Sequence, residues 1–96
     1  MITHLVVFRL NDDTTSEQAD ELWRRLHELP TLIPGLDDFR PGRDLGLRPG
    51  NGEIGLVARF ADTEAFSAYA THPRHVAFVD ECLTPWATRV GIQFEE

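Results

Sequence analysis

The chain has little of what several functional classes need. Its one cysteine, Cys82, excludes an internal disulfide, and no Cys-x-x-Cys pair indicates a zinc site. Basic residues are scarce, nine against sixteen acidic ones, and the net charge of −7 argues against a nucleic acid or an anionic membrane as a partner. The longest apolar run near the start, residues 5–8, is too short for a signal peptide or a membrane span. We therefore expect a cytoplasmic protein.

What is present fits one small folded unit. With 96 residues, 42% hydrophobic and 26% charged, the chain resembles an ordinary globular protein rather than a disordered one. That length allows a single core with modest burial. We expect one domain over residues 1–96, since no linker, internal repeat or low-complexity segment divides the sequence.

The hydrophobic periodicity predicts six elements in the order strand, helix, strand, strand, helix, strand. The first strand covers residues 2–10, and a capping box at residues 15–18 opens the first helix, which Pro30 should end. Residues 36–46 form a weaker strand that Pro41 places at an edge. Strand 54–60 follows, then a helix capped by Asp62, a helical piece over 73–83 that Pro85 should break, and a last strand at 89–95. This order predicts an α+β fold, a ferredoxin-like four-stranded antiparallel sheet with the helices on one face.

The helices can cover only one face of such a sheet. Leu5, Val7 and Val57 alternate onto the other face, where Gly55 and Gly91 would permit close approach. A second copy of the same sheet is the natural cover for these apolar side chains. The sequence therefore predicts a homodimer.

The segment richest in chemical groups is residues 69–75, which contains one phenol and two imidazoles. Pro73 suits the first position of a helix, so His72 becomes its N-cap and His75 lies in its first turn. The positive end of the helix dipole should keep the His75 ring neutral and able to act as a base. The alternative is structural: His72 caps the helix and His75 only packs. Because Pro73 separates the two imidazoles, we predict no metal site here.

Several side chains are expected to meet under the helices. If Tyr69 and His75 point inward, they join His4 in an apolar interior, which is the usual form of a small-molecule site. The predicted substrate-binding residues are His4, Val6, Phe8, Trp23, Ile54, Leu56, His72 and Trp86. A buried, hydrogen-bonded His4 and plain core packing of the two tryptophans are the alternatives.

The same residues carry a family resemblance. Tyr69-x-x-His72-Pro73-x-His75, the opening residues 2–9 and the segment 32–35 resemble, in the right order, the stress-responsive A/B barrel (Dabb) family. The resemblance implies a dimeric α/β barrel without a cofactor, similar to olivetolic acid cyclase-type polyketide cyclases. In those cyclases the tyrosine and the last histidine of the motif are the working pair.

Carried over, the resemblance makes His75 and Tyr69 the catalytic residues of an aldol-type cyclase or lyase. His75 would take a proton from the carbon next to a carbonyl, and Tyr69 would donate a hydrogen bond to the enolate oxygen of a hydrophobic, polyketide-like ligand. The olivetolic acid cyclase of plants has a further pocket histidine on the third strand. The sequence suggests that Ile54 occupies that position in this chain. A less polar pocket is therefore expected.

Two other functions remain open. The first is a non-catalytic dimer for a stress response or for holding a small ligand, in which the motif only caps and packs. The second is other chemistry on a similar barrel, by a cofactor-free monooxygenase or an isomerase. Fold alone does not decide among these functions.

Overall fold

A computed structural model describes the whole chain, Met1–Glu96, and its fold is the predicted one. Four antiparallel strands form one sheet in the order β2-β3-β1-β4. Their bounds are β1 Ile2–Leu10, β2 Phe39–Arg43, β3 Ile54–Phe60 and β4 Ala87–Glu95. The short β2 lies at an edge, as Pro41 indicated, because proline has no N–H to donate to a second neighbouring strand.

The helices follow the first and third strands. They are α1 Ser16–Leu32, α2 Thr63–Ala70 and α3 Pro73–Phe78, followed by a π-helical turn Val79–Leu83 and by α4 Thr84–Trp86. None of them is both long and apolar enough to cross a membrane. The order of elements confirms the α+β, ferredoxin-like architecture.

The first helix begins as predicted and ends later than predicted. Thr15 and Gln18 form the reciprocal capping box that the sequence indicated. Pro30 does not end the helix, which continues to Leu32 and closes when the Ile33 N–H donates to the Leu29 carbonyl. A proline in the last turn removes only one backbone hydrogen bond, and the burial of Leu29 holds that turn against the core.

The last helical region also continues through a proline. Pro85 was expected to break it, yet Pro85 lies in α4. The preceding π turn is closed by the Thr84 N–H donating to the Val79 carbonyl. Pro85 then occupies an early position of a new turn, where its missing N–H leaves no helical bond unmade.

The core lies between the helices and one face of the sheet. Leu22, Leu26 and Leu29 of α1 are 0–1% exposed. They pack with alternate residues of β1 and β3, namely Ile2, Val6, Phe8, Ile54, Leu56, Ala58 and Phe60. Full burial of one such large side chain contributes roughly 1.5–3 kcal/mol, so this stripe of leucines is what fixes α1 on the sheet.

The opposite face of the sheet is apolar and uncovered. It exposes Leu5, Val7, Val90, Ile92 and Phe94, with exposed fractions of 38% to 78%. Gly55 is on this face, opposite Val7, as expected, but Gly91 is not. Gly91 pairs with Val6, a core residue, so it lies on the helix side of the sheet. The close approach that Gly91 permits is therefore toward the interior.

Candidate active site

A cavity of about 320 Å³ opens between the helices and the β1–β4 half of the sheet. Its size is within the usual range for small-molecule sites, roughly 300–1,000 Å³. The lining residues are His4, Val6, Phe8, Leu26, Leu56, Phe66, Tyr69, Ala70, His75, Phe78, Leu83, Arg89, Gly91 and Gln93. Most are apolar, and their polar groups come from opposite walls of the cavity.

Tyr69 points into this cavity from the last turn of α2. Its side chain is only 4% exposed, and its ring lies 5.2 Å from that of Phe60 and 6.1 Å from that of His4, centroid to centroid. The helix aims Tyr69 inward together with Phe66, which precedes it by nearly one turn. Burial raises the pKa of the Tyr69 phenol, so the hydroxyl stays protonated at neutral pH and is available as a donor.

His75 meets Tyr69 across the bend at Pro73, with ring centroids 4.4 Å apart. His72 caps α3 as predicted, since its Nδ1 accepts a hydrogen bond from the Arg74 N–H at 3.1 Å. In the half-buried His75, Nδ1 lies 2.9 Å from the Ala70 carbonyl oxygen. A carbonyl oxygen only accepts, so Nδ1 carries the proton and Nε2 keeps a free lone pair.

The pKa of His75 is lowered, in the predicted direction but mainly for a different reason. Burial is the largest cause, partly opposed by the bond to the Ala70 carbonyl, and Arg89 and His72 lower the pKa further. The helix dipole, on which the sequence argument relied, is weak here because α3 has only six residues. The ring is neutral at pH 7.

His4 completes the set from the floor of the cavity. It is 8% exposed, and its pKa is lowered to about 4 by burial and, to a smaller extent, by His75 and Arg89. Its Nδ1 accepts a hydrogen bond from the Gln93 side-chain amide at 2.9 Å. The proton of the neutral ring is therefore on Nε2, so His4 is a donor where His75 is an acceptor.

Four of the predicted substrate-binding residues lie outside the cavity. Trp23 is half-buried and lies between His27 of α1 and Arg43 of the edge strand β2, on the side of the sheet away from β4. Ile54 is at the far end of β3, where its neighbours are Leu10 and the start of α1. His72 is occupied by its capping bond. The half-buried Trp86 packs against the core just before β4, near the end of β1. The third-strand residue that lines the cavity is Leu56, which is also apolar.

Sequence reasoning missed the contribution of β4. Arg89, Gly91 and Gln93 line the cavity because they pair with Phe8, Val6 and His4 of β1. The available signal was their alternation with Val90, Ile92 and Phe94, but alternation alone does not say which side of an edge strand faces inward. Elsewhere, no three His, Cys, Asp or Glu side chains are close enough together to hold a metal ion.

Comparison with known proteins identifies the family of this chain. The sequence model of the Stress responsive A/B Barrel Domain, Dabb, matches residues 2–96. The chain belongs to the Dabb family. No curated protein matches this chain.

Solved structures share its fold. A dimeric ferredoxin-like protein of unknown function from Thermobifida fusca is 36% identical, with a TM-score of 0.87 over 99% of this chain and 90% of that one. A Dabb family protein from Mesorhizobium loti is 27% identical, with a TM-score of 0.82 over 99% and 95%. A hydroxynitrile lyase from Passiflora edulis, 19% identical, has a TM-score of 0.79 over 99% and 94% and is similar in fold alone.

Proposed function

We propose that this Dabb protein, acting as one domain, is a cofactor-independent cyclase-like lyase that catalyses proton transfer and aldol-type chemistry on a hydrophobic, polyketide-like carbonyl compound. One observation supports this function above the others. A neutral imidazole with a free lone pair, His75, contacts a protonated phenol, Tyr69, inside an apolar cavity. A base beside a hydrogen-bond donor is the arrangement that enolate formation requires.

Nε2 of His75 is the base in this mechanism. It takes a proton from the carbon next to the substrate carbonyl, and the electron pair of the broken C–H bond passes to the carbonyl oxygen. The bond from Nδ1 to the Ala70 carbonyl orients the ring and stabilises the imidazolium that forms. The lowered pKa keeps the ring unprotonated at neutral pH, as a base must be before the reaction.

Tyr69 and His4 stabilise the enolate oxygen. The Tyr69 hydroxyl and the Nε2–H of His4 are both donors from side chains that line one cavity, and in this mechanism the enolate oxygen accepts from both. The enolate carbon then attacks a second carbonyl of the same substrate molecule. The new C–C bond closes the ring, and the resulting alkoxide takes the proton back from His75.

We also propose that the active form is a homodimer. The uncovered face of the sheet presents a continuous apolar patch on β1 and β4, which is unusual for the surface of a monomer. The T. fusca relative is described as dimeric. Sedimentation at micromolar concentration should give about twice the chain mass of 10.9 kDa.

Exchange of substrate protons tests the enzymatic function. The wild-type protein should catalyse deuterium exchange at the carbons next to the carbonyl of medium-chain alkyl methyl ketones in D₂O, followed by ¹H NMR. Removing the base with His75→Ala should lower the exchange rate roughly 10²–10⁴-fold. His27→Ala, which changes an exposed histidine outside the cavity, is the matched control.

The alternative outcome is informative. If the ketones bind but exchange no faster than in buffer, or if His75→Ala exchanges as fast as wild type, the enzymatic proposal fails. The cavity would then support the small-ligand-binding dimer, in which Tyr69 and His75 only shape an apolar pocket.

A further inference from the structure

The cavity contains one charged side chain and no carboxylate. Among its lining residues, Arg89 is the only cation, and none is Asp or Glu. The protein as a whole carries a net charge of −7, which repels anions. The interior of this site thus has the opposite electrostatic character to the rest of the chain.

Arg89 is also not used to hold the fold together. Most arginines of the chain are paired with carboxylates, namely Arg24, Arg25, Arg40, Arg43 and Arg59. Arg89 is in none of the ion pairs. Its side chain is exposed to solvent while lining the cavity, so the cavity reaches the surface at a guanidinium without a partner.

The geometry of β4 separates this cation from the reacting groups. Arg89 and Gln93 lie on the same face of the strand, four residues or about 13 Å apart. Gly91 lies between them and puts no side chain into the space, and a Cβ there would meet the Val6 side chain at 3.4 Å. An elongated ligand can therefore lie along the bare strand with one end near Arg89 and the other near His4 and Tyr69.

We propose, as an extension of the function proposed above, that Arg89 binds a terminal oxyanion, a carboxylate or a phosphate ester, on an elongated apolar ligand whose other end reaches His4. The planar guanidinium matches both oxyanions with two parallel N–H donors. Arg89 also lowers the pKa values of His4 and His75. A bound anion would offset that effect, so such a ligand would itself make His75 a stronger base.

Equilibrium binding tests this site without any turnover. Octanoate, octyl phosphate and the neutral octanamide share one apolar chain and can be titrated by calorimetry at low ionic strength. We expect at least one of the two anions to bind the wild-type protein about tenfold more tightly than the amide, and this preference to vanish in Arg89→Met. Whichever anion shows the preference identifies the oxyanion.

Arg48→Met is the matched control. Arg48 is exposed in the β2–β3 loop and is also without an ion pair, so the variant makes the same change in net charge at a distance from the cavity. It should retain the preference for the anion. An equal loss in Arg48→Met, or equal affinity of wild type for all three ligands, would overturn the Arg89 site.

A measurement on the unmutated protein guards against misfolding of the variant. The Arg89 Nε–H resonance should move when the preferred anion is added and stay in place with octanamide; movement with neither would contradict the proposal. The ketone exchange assay is a separate readout. If the protein prefers the anion but does not catalyse ketone exchange, the proposed enzymatic function is wrong and the Arg89 site stands. If it catalyses exchange without preferring the anion, only the Arg89 site is wrong.

Discussion

The two faces of β4 have opposite chemical character. On the helix side, Arg89, Gly91 and Gln93 bring a cation, a gap and an amide to the cavity. On the other side, Val90, Ile92 and Phe94 are 78%, 55% and 42% exposed. One strand of nine residues thus supplies polar groups to the cavity and apolar groups to the opposite surface of the sheet.

This reversal of the usual pattern is informative. A strand at the edge of a two-layer fold normally turns its apolar side chains toward the helices and its polar ones toward water. In β4 the polar side chains face the cavity, where Gln93 bonds to His4 and Arg89 has no ion-pair partner, and the apolar side chains of the other face have no cover within the chain. This division is the basis of both proposals, a ligand on the inner face and a second copy of the chain on the outer face.

The largest expected difference between variants of the two faces is in the rate of proton exchange. Tyr69→Phe deletes one donor to the enolate oxygen and almost no packing, so the exchange rate should fall about 10²-fold. Thr88→Ala, an exposed change on the outer face of β4, should have no effect on that rate. Sedimentation of both variants should match the wild type. Full activity of Tyr69→Phe would mean that the phenol does not act as a donor.

The next effect concerns the outer face. Ile92→Asp places a charge among Leu5, Phe94 and their neighbours, so the dimer dissociation constant should rise at least about tenfold. Ser67→Asp adds the same charge on the exposed side of α2 and should leave the constant unchanged. Concentration-dependent sedimentation measures both constants. A dimer unaffected by Ile92→Asp would place the interface elsewhere.

A third effect is on stability against pH and belongs to the inner face. The pKa of His4 is lowered from 6.5 to about 4, so between these values the unfolded chain binds a proton that the folded chain does not. Stability is therefore full above pH 6.5 and falls as the pH drops toward 4, by at most about 3 kcal/mol from this group.

Urea unfolding at pH 7 and pH 5 measures this dependence. His4→Gln should reduce the difference between the two pH values, whereas His27→Gln, at an exposed position, should preserve it. If His4→Gln unfolds with the same pH dependence as wild type, other groups must account for the loss of stability at low pH.

The fold was largely predictable because its signals are local. Alternation along β1 and β3, the capping box at Thr15 and the cap at Asp62 all depend on neighbours within a few residues. Pro30 and Pro85 were misjudged for the same reason. Whether a helix continues through a proline depends on the burial of its flanking turns, and local sequence does not contain that information.

The candidate site was predicted in part. Tyr69 and His75 were identified by their motif, and His4, Val6, Phe8 and Leu56 by the alternation of their strands. Trp23, Ile54, His72 and Trp86 were included because aromatic, polar or strand-face residues often line pockets. Whether these residues reach the cavity depends on where the cavity opens between helices and sheet. The packing of the helices decides that position.

The sequence by itself determined the order of strands and helices along the chain, the inward aim of Tyr69 and the cap at His72, because each follows from periodicity or from the fixed φ of Pro73. Only the tertiary structure decided which face of β4 lines the cavity and which nitrogen of each histidine is free. The pairing of β1 with β4 sets Gln93 against His4, and the bend at Pro73 brings His75 back to the Ala70 carbonyl. The two tautomers arise from hydrogen bonds between residues that are 89 and five positions apart, and neither bond leaves a pattern in the sequence.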